Sequence, residues 1–323
     1  MLAYTLRRVG QLLAMLVVVS MLCSFLIQLP PGNILTAAIT SLHSEPFTDE
    51  DIAAMQSYAI DRPPPVQYLR WVGGILLHGD WGYSIEWRMP VGNLLWEPVA
   101  LSTLLTVATL LLASVATIPL GIYSATHPTA FVSRGLGRLR HLEGTRSGFL
   151  LALLVGWLAL AVFGRDVDRL FSDAFAQPPW SAARWAALLR LVWLPIVVLA
   201  LGFIADLLPA VRASLLRELQ GPYVEAARAR GLAEPALVTK YPLRVALASV
   251  LSSSGRHLAN LVSGLTLVTI TLRLRGTGAF LLRAALSEDL YLAGSLVLLL
   301  SALTLAGSFL FALLSASLDP RVR

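Results

Sequence analysis

Few side chains of this sequence are placed to do chemistry. Three ionisable residues lie inside long apolar stretches, namely Asp206, Arg256 and His257. Ionisable groups within a membrane span are functional candidates by default. Arg256 could pair with Asp206, extend to the membrane interface, or line a path and meet a substrate carboxylate. The sequence leaves these alternatives open.

No catalytic or metal-binding pattern accompanies these residues. A phosphate-binding P-loop requires Gly-Lys followed by Ser or Thr, and the only lysine, Lys240, follows a threonine. The histidines lack the spacing of metal ligands, and the single cysteine, Cys23, excludes a cysteine metal site. Serines 252–254 beside His257 could suggest a protease site, but small residues packing between membrane helices explain them better. We therefore predict no catalytic residue, no metal and no cofactor bound by this chain.

The composition is that of a membrane protein. Of 323 residues, 56% are hydrophobic and only 14% are charged, whereas a soluble domain carries roughly a quarter charged residues. A hydrocarbon layer of about 30 Å requires about 20 apolar residues in a helix. Six stretches qualify, at 9–29, 99–125, 148–164, 186–209, 246–272 and 290–318. The predicted fold class is all-α, a polytopic transmembrane helical bundle of about six spans.

Basic residues alternate between the two sides of this predicted bundle. They are frequent in both terminal tails and in the loops 126–147 and 210–245, whereas residues 30–98 are relatively acidic. Because short basic loops stay in the cytoplasm, we expect both termini to be cytoplasmic. The net charge of +6 therefore reflects topology and does not indicate nucleic-acid binding.

This topology divides the chain into three parts. Residues 1–29 form the N-terminal tail and first span, residues 30–98 an external segment, and residues 99–323 a transmembrane core with a cytoplasmic loop at 210–245. Within the external segment we predict a short helix at 47–57. A second, amphipathic helix is predicted at 66–77, lying at the membrane surface.

The loop 210–245 contains the most informative pattern. Glu225, Ala226 and Ala227 begin a short helical run with small residues on one face, and Gly231 suits the left-handed conformation that ends a helix. Pro235 then suits the first turn of a second short helix. We call residues 223–240 the elbow. A helix–glycine–helix elbow with a small face suits insertion into a groove on a partner protein.

The elbow resembles the EAA loop of ABC importer permeases. That pattern is Glu-Ala-Ala, three residues, Gly, nine residues and Ile-x-Leu-Pro. Its first part matches fully, whereas at the far end only Leu243 agrees and Arg244 replaces the proline. The resemblance assigns coupling to separate ATPases to seven residues: Tyr223, Glu225, Ala226, Ala227, Gly231, Tyr241 and Leu243.

Other stretches resemble the dipeptide and oligopeptide branch of these binding-protein-dependent permeases. The matching stretches lie at 4–8, 29–33, 61–71, 79–84, 118–122 and 318–321. Three features depart from the branch. The third predicted span lacks its Pro-x-Phe-Trp stretch, the EAA ending is incomplete, and residues 271–278 replace its Glu-x-x-Phe and Trp-Pro-Gly-Leu-Gly run.

The resemblance implies a permease subunit of an ABC importer in the bacterial inner membrane, with a path for peptides or similar small solutes. The implied partners are a homologous second permease, two ATPase subunits that bind ATP and Mg, and a periplasmic or lipid-anchored solute-binding protein. From the residues alone, an ion- or proton-coupled secondary transporter and a transport-deficient structural subunit remain alternatives.

Overall fold

A computed structural model describes residues 2–27, 63–127 and 182–318, apart from residues 85, 253, 273 and 288. In chain order the elements are α1 (Leu2–Ile27), α2 (Pro64–His78), β1 (Tyr83–Ser84), β2 (Met89–Pro90), α3 (Val91–Thr126), α4 (Ala182–Leu219), α5 (Pro222–Ala229), α6 (Glu234–Lys240), α7 (Pro242–Ser252), α8 (Ser254–Thr271), α9 (Thr277–Leu286) and α10 (Leu290–Leu318). The predicted helix at 47–57 and the predicted span at 148–164 lie outside the described residues.

Four of these helices, α1, α3, α4 and α10, are long and apolar enough to cross a membrane. The predicted sixth span coincides with α10, whereas α3 begins at Val91, earlier than the predicted residue 99. The predicted end of the fourth span at Pro209 is wrong, because α4 continues to Leu219 with Pro195 and Pro209 inside it. Membrane helices tolerate prolines where neighbouring groups satisfy the freed backbone.

The fifth predicted span, 246–272, is built from two helices, α7 and α8. Helix α8 is not among the four that qualify by length and composition, because Arg256, His257 and Asn260 interrupt its apolar sequence. The all-α, polytopic fold class is confirmed. The orientation of the termini stays a prediction.

The chain forms two compact units, of which the first comprises Met1–Val9, Thr103–Leu274 and Thr304–Arg323. In this unit α3 approaches α4 closely at Gly121. A Cβ added to Gly121 would lie 2.6 Å from Cγ1 of Val211. Glycine is therefore required here to let the two backbones come together.

The second unit comprises Gly10–Ser102 and Arg275–Leu303. Its core includes Cys23, Trp71, Leu95 and Leu292. Helix α2 lies at the predicted position and has apolar side chains on both sides: Trp71 is buried, whereas Leu69, Leu76 and Leu77 are exposed. Its amphipathic character stays a prediction. The hydroxyl groups of Ser20 and Tyr68 lie 2.9 Å apart and join α2 to α1. The location of α2 at the membrane surface stays a prediction.

A buried carboxylate fastens the β1–β2 hairpin within this second unit. Asp289 is fully buried and accepts hydrogen bonds from the Ser84 hydroxyl and the backbone N–H of Glu86. Its other oxygen accepts from the backbone N–H of Leu292, 3.3 Å away, in the first turn of α10. Burial raises the pKa of Asp289, while these hydrogen bonds act in the opposite direction.

We predict that Asp289→Ala lowers the melting temperature of the purified protein more than Ser84→Ala does. The first change leaves several donors without an acceptor, each costing about 1–3 kcal/mol when buried, whereas the second removes one donor to Asp289 and the acceptor of the Trp87 N–H. The double variant should melt close to Asp289→Ala alone, since both changes break the same contact. Additive losses, measured by differential scanning fluorimetry in detergent, would contradict this description of the hairpin.

Candidate functional site

The elbow has the predicted helix–glycine–helix form. Helix α5 begins with Pro222 and α6 has Pro235 in its first turn, after extended backbone at Gly221 and Ala233. Proline is tolerated in a first turn because that N–H has no partner within the helix. Gly231 has a φ of 81°, which confirms the predicted left-handed conformation. A Cβ added to Gly231 would have no atom within 4 Å. The backbone conformation, and not a lack of space, therefore favours glycine.

The two short helices of the elbow enclose a small core of their own. Val224, Ala227 and Leu237 are buried together, with Leu232 packed against them. We expected the small residues to form one docking face, and for Ala227 this is wrong. Ala227 is 1% exposed, so it is small because α5 and α6 approach each other closely there.

The outer face of the elbow is formed by other residues. Glu225 and Ala226 are exposed, and Tyr223 is 39% exposed with its hydroxyl donating to the Glu218 carboxylate over 2.7 Å. Tyr241, the residue that follows the elbow, is 41% exposed. These side chains are available to a partner protein.

An ion pair ties the two helices of the elbow together. The Arg228 guanidinium donates to both carboxylate oxygens of Glu234, and both side chains are exposed. The hydrogen bond from Arg228 lowers the pKa of Glu234. The pair links α5 and α6 and contributes little to stability, because both side chains are exposed to solvent.

The elbow is joined to several membrane helices of the first unit. Val238 on α6 is buried against Ala125 at the end of α3, Leu215 on α4 and Ala246 on α7. Arg244, which replaces the proline of the EAA pattern, donates from Nε to the backbone carbonyl of Leu318 over 2.8 Å. That carbonyl is one of those left unpaired at the end of α10. The incomplete EAA ending therefore provides an additional contact to α10.

The intramembrane residues form a polar cluster between α4 and α8. Oδ2 of Asp206 lies 2.7 Å from Nδ1 of His257 and accepts from the side-chain amide of Asn260 over 3.2 Å. Because a carboxylate only accepts, Nδ1 carries the proton in this contact. Nε2 of His257 is buried and lacks a hydrogen-bond partner among the described residues. The His257 side chain is only 7% exposed, whereas that of Asp206 is 35% exposed.

The observed pair is therefore Asp206 with His257. Arg256, the partner considered from the sequence, is exposed while its neighbour His257 is buried. Consecutive residues on a helix point in different directions, which separates these two side chains. Asp206 lies near the middle of the apolar stretch Val192–Leu219, and its position a few residues from the cytoplasmic end of the span stays a prediction.

Two contributing residues were missed by the sequence analysis. Asn260 lies three residues after His257, a spacing that places two side chains on neighbouring parts of one helix face. Arg244 was noted only as a departure from a pattern, and nothing in the sequence links it to Leu318. No group of three or more potential metal ligands lies within the described part of the chain.

A family model described as the inner membrane component of binding-protein-dependent transport systems matches residues 117–323. This range contains both the elbow and the polar cluster. The chain belongs to this family. It is a permease subunit of an ABC transporter in the inner membrane, and the resemblance inferred from its motifs is confirmed.

Similar proteins align with this permease over its whole length. A Brucella suis protein named as a peptide permease is 30% identical over all of this chain and 99% of its own. A Sinorhizobium fredii protein named as a peptide ABC transporter permease is 26% identical over 99% of each chain. The oligopeptide transport system permease protein AppB of Bacillus subtilis is 24% identical over 100% of this chain and 99% of its own.

The departing segment 271–278 forms the connection between α8 and α9 in this permease. Leu272 and Leu274 are each 1% exposed, and the N–H of Leu274 donates to the carbonyl of Thr269 over 2.9 Å. In the second unit, the hydroxyl groups of Thr277 and Ser102 lie 2.9 Å apart. Among the described residues of this segment, Leu272, Leu274 and residues 276–278 are buried, whereas Arg275 is exposed.

We predict that His257→Leu lowers membrane abundance and melting temperature, whereas Arg256→Gln leaves both near normal. Leucine fills a buried site but removes the donor to Asp206, and a hydrogen bond to a charged group contributes about 1.5–3 kcal/mol. Immunoblots of membranes and thermal melts in detergent provide the measurement. Equal losses in the two variants, or a larger loss for Arg256→Gln, would show that the pairing is wrong.

Proposed function

We propose that this permease forms, with a homologous second permease, the path by which peptides cross the inner membrane. The peptide substrate is supported by the names of relatives that align with the whole chain. Two cytoplasmic ATPases supply energy by binding ATP and Mg, and an external solute-binding protein delivers the substrate. The absence of Gly-Lys-[Ser/Thr] from the sequence supports placing ATP hydrolysis on separate subunits.

The observation that carries the proposal is the construction of the elbow. It has its own core, presents Tyr223, Glu225 and Ala226 outward, and packs through the buried Val238 against α3, α4 and α7. A partner that binds the outer face can therefore move the attached helices, because the elbow is already folded before the partner binds. Closure of the ATPases would shift the permease between inward-open and outward-open states, because the closed ATPases bind these two states with different affinity.

The proposal includes an orientation and a division of the chain. The elbow and both termini face the cytoplasm, as the distribution of basic residues indicates. Residues 1–29 supply the first span, residues 30–98 face the periplasm, and residues 99–323 form the permease core with its coupling loop 210–245. This arrangement places the outer face of the elbow on the side where ATP is available.

We predict that Ala226→Tyr reduces co-purification of the ATPases and ATP-driven uptake of tri-alanine together. The substitution adds volume on the exposed face of α5 and leaves the buried core of the elbow unchanged. A mismatch at a packed contact costs roughly 1–3 kcal/mol, which corresponds to about a 5- to 150-fold loss of affinity. Membrane abundance of the permease should stay normal.

The control for Ala226→Tyr is Ala213→Tyr, which changes an exposed alanine of α4 outside the elbow. It should leave ATPase co-purification near normal. Normal co-purification and uptake in Ala226→Tyr would overturn the assignment of the elbow. Normal co-purification without uptake in the unmodified protein would instead favour a transport-deficient subunit.

A further inference from the structure

The exposed residues of α7 and α8 are unusual for membrane helices. Ser249, Ser252, Arg256, Asn260 and Ser263 are all exposed and recur every three or four residues. This spacing places side chains along one side of a helix. We call these five residues the polar stripe. Between residues 242 and 281, no large apolar side chain of the described residues is exposed.

The other membrane helices present the opposite chemistry. Many of their exposed side chains are large and apolar, for example Met21 and Phe25 on α1, Leu111 and Val115 on α3, and Leu310 and Leu314 on α10. Such faces are stable against lipid. Placing a charged side chain at the centre of a membrane helix costs about 2.5–3.5 kcal/mol of insertion free energy. For this reason such residues almost always face a water-filled cavity or another helix. The polar stripe therefore suits an aqueous path better than a lipid-facing surface.

The polar stripe has an acidic neighbour on α4. Asp206 contacts Asn260 of the stripe over 3.2 Å and remains 35% exposed beyond its bonds to Asn260 and His257. His257 sits behind the stripe and holds the carboxylate in place over 2.7 Å. The exposed surface thus offers a negative group, Asp206, and a positive group, Arg256, with hydroxyl and amide groups along the stripe.

We propose that the polar stripe and Asp206 form one wall of the translocation path, with Asp206 contacting the ammonium group and Arg256 the carboxylate of a passing peptide. This inference rests on the proposed function and names the side chains that meet the substrate. A zwitterionic peptide carries both charges and has backbone groups that donate and accept hydrogen bonds. Serine hydroxyls and an asparagine amide also donate and accept, so they can exchange partners as the chain moves.

Cysteine accessibility in the whole complex tests this wall. In a Cys23→Ala background, which removes the only native thiol, Ser249, Ser252 and Ser263 are changed singly to cysteine. Val107→Cys and Val115→Cys are matched controls, because both valines are exposed on α3. Complexes with their ATPases are placed in nanodiscs and treated with a charged, water-soluble methanethiosulfonate, with and without ATP and vanadate.

We expect the three serine positions to react on the order of tenfold faster than the valine positions in at least one nucleotide state, because thiolates form in water. Arg256→Gln should lower the ratio of anionic to cationic reagent rates at position 252 by about tenfold, since it removes a nearby positive charge. Rates equal to those of the valine controls in both states would mean that the stripe packs against the second permease, and would overturn the proposal.

Peptide contact is measured on the same cysteines. Tri-alanine should slow the reaction at position 263 by severalfold, and Asp206→Asn or Arg256→Gln should each remove this protection. The amide of tri-alanine, which lacks the carboxylate, should protect position 263 less than tri-alanine does when Arg256 is present. In the Arg256→Gln variant the two peptides should not differ. Absence of protection would overturn the substrate contact. The ATPases must co-purify with every variant, so a failure of the proposed function is recognised separately.

Discussion

The contact on which this structure depends most is the burial of Val238 from the elbow against Ala125, Leu215 and Ala246. These four residues belong to α6 and to three other helices, α3, α4 and α7, of which α3 and α4 are long and apolar enough to cross a membrane. Packed interiors do not deform continuously, since each side chain fits a small number of arrangements. Displacement of the elbow must therefore either move the membrane helices with it or separate this core. The same cluster packs the elbow and the helices α3, α4 and α7 together.

A second constraint comes from the bilayer, which supplies no hydrogen bonds and little solvation for charge. It explains why Asp206 is paired with His257 and Asn260 inside the first unit. It also separates apolar exposed faces, which lipid covers, from the polar face of α7 and α8. The bilayer therefore determines both which polar groups must pair and which helix face can line an aqueous path.

Much of the fold could be predicted, because a hydrocarbon layer imposes a minimum apolar length and glycine and proline mark the ends of short helices. Gly231 and Pro235 predicted the elbow correctly. The extension of α4 past Pro209 could not be predicted, since it depends on neighbouring helices that satisfy the backbone. The buried position of Ala227 and the choice of His257 as partner of Asp206 depend on helix rotation and tertiary packing, which residue spacing alone left undecided.

The central claim is that an ATPase binds the outer face of the elbow. A photoreactive benzoylphenylalanine at position 225, in membranes that contain the complete transporter, tests it most directly. Illumination should join the permease to a protein that carries a phosphate-binding P-loop, identified by mass spectrometry, while the same residue at position 115 on α3 should give no such product. Cross-links from position 225 to lipid or to the solute-binding protein, with none to an ATPase, would contradict the account.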